Sequence, residues 1–93
     1  MSSIKDVIVK KTIDHETETC KDWPIWQGQP STFDWDYTQT ETCLIIEGKV
    51  TVTDYPATDD SITFGPGDMV VFPEGLKCIW TIHEPVKKYY QFT

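Results

Sequence analysis

The sequence predicts an all-β domain, and three observations carry that prediction. Short runs of β-branched and aromatic residues recur at close intervals. Turn residues separate them, at Gly28 to Ser31, Asp59-Asp60, Gly65 to Asp68 and Pro73 to Gly75. No stretch carries the apolar stripe of an amphipathic helix, so the pattern is that of a sandwich or barrel. At 93 residues with 39% hydrophobic and 13% aromatic content, the chain has room for one domain with a single core built largely from rings.

In chain order, Ile4 to Val9 reads as a first strand. Thr12 to Asp22 is acidic and threonine-rich, with too few apolar positions for an amphipathic helix, and is expected as a loop or one frayed helical turn. Residues 1–22 thus form an N-terminal strand and acidic loop, and 23–93 the main β unit. Trp23 to Trp26 sets two indoles around a proline ahead of the first turn. Thr42 to Ile46 and Val50 to Thr53 read as two strands of a hairpin joined at Glu47-Gly48. Ile62 and Phe64 alternate in the next strand, and Met69 to Phe72 is an apolar run too short for a helix. Leu76, Cys78, Trp80 and Ile82 share one face of the following strand, and Val86 to Phe92 is the last.

Fifteen acidic against eight basic residues give a net charge of −7, which opposes nucleic acid and anionic membrane surfaces as partners. No apolar run approaches the roughly 20 residues that span a bilayer, and Met1 to Lys11 alternates charge with aliphatics, unlike a signal peptide. The expected location is the cytoplasm. Cys20, Cys43 and Cys78 are an odd, unpaired set and are expected to be reduced.

Two motifs carry a resemblance. Glu41 to Gly48, a glutamate followed after six residues by glycine, is similar to the second half of the first cupin motif. Gly67 to Cys78 (GDMVVFPEGLKC) is similar to the second motif, with Cys78 at its histidine position. With WPIW, FDWDYTQTE and VKKYYQF, the wording from Trp23 onward resembles the short single-domain cupins of unknown function, whose longer relatives include ureidoglycine aminohydrolase and an ethanolamine-utilisation protein. The resemblance implies a small jelly-roll barrel and a homodimer.

In the wider superfamily, a His-x-His pair before the glutamate and the later histidine complete a metal site. The corresponding pair here is Trp35 and Tyr37, or Asp34 and Asp36 in the other register. The resemblance leaves Glu41 and Cys78 as the plausible metal donors, short of the three or four that hold a transition metal, so no metal is expected and the identity of any other cofactor is unknown.

Glu41 and Cys43 lie two apart on one strand and face the same way, toward Cys78 if the family register holds. Desolvation is expected to raise the pKa of all three unless a cation or donor compensates. Glu41 reads as an acid/base, with Cys78 or Tyr37 assisting, or as a structural carboxylate bonded to the Tyr37 hydroxyl or the Trp35 indole. Cys78 reads as an inert core residue, a catalytic thiol or a ligand. Trp35, Cys43 and Trp80 are candidate ligand contacts, although large rings in so small a protein also form its core. Cys20, His15 and His83 are expected outside the barrel or in solvent.

The expected partner is a small organic molecule, neutral or cationic because no basic residue reads as lying inside the barrel. The readings are a metal-free enzyme, a non-catalytic binding module, and a metal-dependent enzyme using Glu41 and Cys78 with Tyr37 or Asp36.

Overall fold

The computed structural model describes residues 3–12 and 14–93, the side chains of 14–16 excepted. Among the described residues, seven strands form one antiparallel sheet wrapped on itself: β1 (Ile8–Lys11), β2 (Ile25–Gly28), β3 (Ser31–Asp36), β4 (Glu41–Asp54), β5 (Ser61–Phe64), β6 (Asp68–Phe72) and β7 (Lys77–Phe92). The spine is the pairing of the two long strands, β4 and β7. Each changes its second partner half-way along. β4 pairs with β6 through Glu41 to Leu44 and with β5 through Val50 to Thr53. β7 pairs with β3 through Lys77 to Ile82 and with β2 through Val86 to Tyr89. Splitting the partners in this way folds the sheet around one core and gives the small jelly-roll barrel that the motifs imply.

The hairpin expected at Glu47-Gly48 is instead an uninterrupted strand with bulges. The β4–β7 register shifts between Ile45 and Val50, and the buried positions change from Glu41, Cys43 and Ile45 to Val50 and Val52. A bulge bends a strand and changes its phase without reversing it. Gly48 makes this possible: its φ is +100°, and a Cβ there would run into the Pro85 carbonyl and the Val86 Cα. The motif glycine therefore lets the β7 backbone at Pro85 and Val86 lie close against β4.

The first expected strand is also shorter. Ser3 accepts from the Lys5 amide at 3.3 Å and its own amide donates to Asp6 Oδ2 at 2.9 Å, so Ile4–Asp6 closes into a capped 3-10 turn. The turn sends Ile4 into the core, and β1 begins at Ile8.

The acidic segment expected as a loop or one frayed helical turn holds a seven-residue helix, α1 (Asp14–Cys20). Its stability is tertiary. Cys20, expected to be peripheral, is buried with Leu44 and Met69 on the outer face of the sheet, with Trp23 and Tyr89 packed alongside. This second small core explains why Leu44 and Met69 are buried although they point away from the barrel interior. The expectation for His15 lies outside the described side chains. Among the described residues, no helix is long and apolar enough to cross a membrane.

Candidate functional site

The main core fills the end of the barrel around Val50, Val52, Phe64 and Ile82. Toward the Glu41 end it gives way to a cavity of about 220 Å³ lined by Trp26, Phe33, Trp35, Tyr37, Glu41, Trp80, Lys88, Tyr90 and Phe92. β7 contributes Trp80, Lys88, Tyr90 and Phe92, all even positions of one strand and hence one face. β3 contributes Phe33 and Trp35 on the same principle. Trp35 and Phe92 are 47% and 42% exposed, which places them at the mouth.

The walls are locked by ring contacts. Phe33 stacks on Trp80 with centroids 6.1 Å apart, Trp26 meets Trp80 edge-on at 6.2 Å, and Tyr37 stacks on Phe72 at 4.9 Å. Tyr37 is further pinned by backbone bonds to Leu76 and Gly75. Its hydroxyl accepts from Trp80 Nε1 at 3.2 Å.

Lys88 overturns the expectation of a barrel without basic residues. It is 5% exposed, and its ammonium donates to Glu41 Oε2 at 2.9 Å. The same nitrogen lies 4.5 Å from the ring centre of Trp80 and 5.2 Å from that of Trp26, within cation–π range of both. Glu41, 4% exposed, thus has a cation as its partner rather than the Tyr37 hydroxyl or the Trp35 indole. Two opposite charges removed from water hold each other in an aromatic box. Such a pair persists only when geometry is good, because desolvating either ion costs several kcal/mol.

The other candidates fall in two groups. Trp35, Tyr37 and Trp80 line the cavity with Glu41. Cys43 and Cys78 do not; both belong to the packed core. Burial pushes each thiol up to about 12, with Lys88 opposing the rise at Cys43 and the carboxylates of Asp36, Asp54 and Glu41 adding to it at Cys78. The Cys78 thiol donates to the Trp35 carbonyl at 3.6 Å. Burial first, and the Glu41 charge second, also hold the Tyr37 phenol far above its ordinary range. All three stay protonated at neutral pH. His83 lies on the outside, hydrogen-bonded to Thr51 Oγ1 at 2.8 Å.

The donor set does not fit a resident cupin metal. Among the described residues no three His, Cys, Asp or Glu side chains are placed to hold an ion. Glu41 is engaged by an ammonium, and Cys78 is a high-pKa thiol bonded to a backbone carbonyl. Lys88 supplies the positive charge that balances the glutamate.

No curated protein matches the sequence. Among solved structures, a DUF861 family protein from Thermotoga maritima is 39% identical, with 95% of this chain and 100% of that one covered and a TM-score of 0.88. The Clostridium difficile EutQ protein shares the fold at 17% identity, covering 92% of this chain and 66% of that one with a TM-score of 0.66. A cupin-2 domain containing protein from Shewanella frigidimarina does so at 19%, 74%, 67% and 0.60 respectively. The sequence pattern of the EutQ-like cupin domain matches residues 15–90. With the first motif on β4 and the second on β6 and the turns that flank it, the chain belongs to the EutQ-like cupin domain family.

Proposed function

We propose that the protein binds a small organic molecule in the aromatic cavity and that Glu41 and Lys88 act on it as a proton-exchanging pair. The observation that carries this reading is the ion pair itself, which lines a cavity and is not sealed in the core. Two oppositely charged groups in direct contact provide one acceptor and one donor of protons to whatever lies beside them. Tyr37 is a wall and Cys78 a structural thiol in this reading, because burial keeps both protonated.

The cavity limits the ligand to something smaller than a drug-sized molecule, for which pockets of about 300 Å³ or more are usual. Its walls favour a flat one. The lysine ammonium has three N–H donors, one of which goes to Glu41, so an oxygen acceptor on the ligand finds a partner.

Titrating the protein with a panel of small planar acids, amides and carbonyl compounds, followed by tryptophan fluorescence, tests the proposal. Saturable quenching that is abolished in Trp26→Leu and weakened in Trp35→Ala is expected. A panel that leaves the fluorescence of the folded protein unchanged, or quenching indifferent to both substitutions, contradicts it.

A further inference from the structure

We propose that Lys88 is a covalent site, whose amine condenses with the carbonyl carbon of a small flat aldehyde or ketone to form an imine. The inference rests on the ligand-binding reading of the cavity and adds the substrate class and the reacting atom.

The starting arrangement is an ammonium in contact with a carboxylate, inside walls that are mostly aromatic carbon. Moving the shared proton from Nζ to Oε2 across their direct contact gives a neutral amine, the nucleophilic form, and a carboxylic acid beside it. The nitrogen lone pair then adds to the carbonyl carbon, and the displaced π pair on oxygen takes the proton back from Glu41. The new C–N bond carries a hydroxyl. Glu41 next removes a second proton from nitrogen and delivers it to that hydroxyl, which leaves as water while the nitrogen lone pair forms the C=N bond.

The net change is ammonium plus carbonyl to iminium plus water, with no oxidant or reductant. The iminium keeps the single positive charge of Lys88. It therefore retains the contact with Glu41 and the faces of Trp26 and Trp80 that stabilised the ammonium. Proximity of base and nucleophile, and a lysine held in an apolar pocket, are the conditions under which amines act as nucleophiles.

The placement also distinguishes Lys88 from the other lysines. Its backbone is held in the sheet between Trp26 of β2 and Ile45 of β4. Lys5, Lys10, Lys11, Lys21, Lys49 and Lys77 are exposed and Lys87 is half-buried. Accessibility alone would make Lys88 the slowest of the eight to react. An organic cation is the wrong occupant, because it would meet the charge of Lys88 at the place where it needs the ring faces.

The test uses the wild-type protein at neutral pH with benzaldehyde and sodium cyanoborohydride, sampled early and mapped by peptide mass spectrometry, with benzoate as a planar ligand that cannot condense. Lys88 is expected to carry one benzyl group roughly tenfold ahead of any other lysine, to be protected by benzoate, and to lose the fast phase in Lys88→Arg, which keeps a cation against Glu41. Labelling that reaches the exposed lysines first and Lys88 last overturns the covalent step. If benzaldehyde or benzoate still quenches the indoles saturably, only that step fails; if neither binds nor labels, the binding reading fails with it for flat carbonyl compounds and acids.

Discussion

Glu41 and Lys88, 47 residues apart in sequence, meet at 2.9 Å inside the barrel. They reach each other because β4 and β7 run side by side along the spine and both turn these positions inward. From the residues alone, Glu41→Gln should be neutral or stabilising, since it removes a lone buried ionisable group. The structure reverses that expectation, because the substitution would strand the ammonium of Lys88.

Trp35 provides a test of the cavity that is independent of stability. Its ring is 47% exposed at the mouth and packs edge-on against Tyr37 at 6.4 Å. Trp35→Ala is expected to change unfolding free energy by less than about 1 kcal/mol. Ligand affinity should fall roughly tenfold, the upper worth of one aromatic contact. Calorimetry for stability and a fluorescence titration for binding check the two halves; a large loss of stability would make Trp35 a core residue.

The barrel was legible from turn spacing and from two motifs, while the site was only partly so. Trp35, Tyr37, Glu41 and Trp80 were visible as inward positions. Lys88 was missed although the signal was present: it is in phase with Val86, Tyr90 and Phe92 on one strand face, and a charged residue in that phase marks a paired interior group. Its partner was not readable, because a β4–β7 pairing 47 residues apart is a tertiary fact. Gly48 reads as a turn residue for the same reason, since nothing local shows Pro85 and Val86 lying over it. In α1, Cys20 and the following Trp23 anchor an otherwise polar segment, too few apolar residues to give a periodic signal.

Alkaline stability should report the buried thiols. Cys43 and Cys78 ionise near 9.0 when free and at about 12 in the fold. Their contribution is complete below pH 9 and is lost as the pH rises toward about 12, because the unfolded chain releases protons that the folded one keeps. Tyr37, shifted in the same direction from 10.0, adds to the decline. The urea midpoint is expected to fall steadily between about pH 9 and about pH 11. A flat profile would mean that the thiols are not held protonated. Cys20, buried at 1% exposure, should be as slow as the other two toward a bulky thiol reagent in the native state.

Gly48→Ala is expected to destabilise the fold by at least about 2 kcal/mol, since it adds both left-handed strain and a collision with the β7 backbone. Gly67→Ala shares the positive φ, at +87°, but has nothing within 4 Å of the added methyl, and should cost less. Thermal unfolding of the two variants side by side checks the order. Equal losses would remove the close approach of the Pro85–Val86 backbone as the reason for the motif glycine.

The most direct test of the account is a double-mutant cycle on the pair, with Glu41→Gln, Lys88→Met and the combined variant unfolded in urea. Each single substitution leaves the other charge buried without its counter-charge and is expected to cost about 3–5 kcal/mol. The double variant removes both charges and should lose much less than the sum, giving a coupling of about 2 kcal/mol or more. Losses that add to within about 0.5 kcal/mol would show that the two side chains do not hold each other in the cavity, and would contradict the Glu41–Lys88 pair on which the proposed site is built.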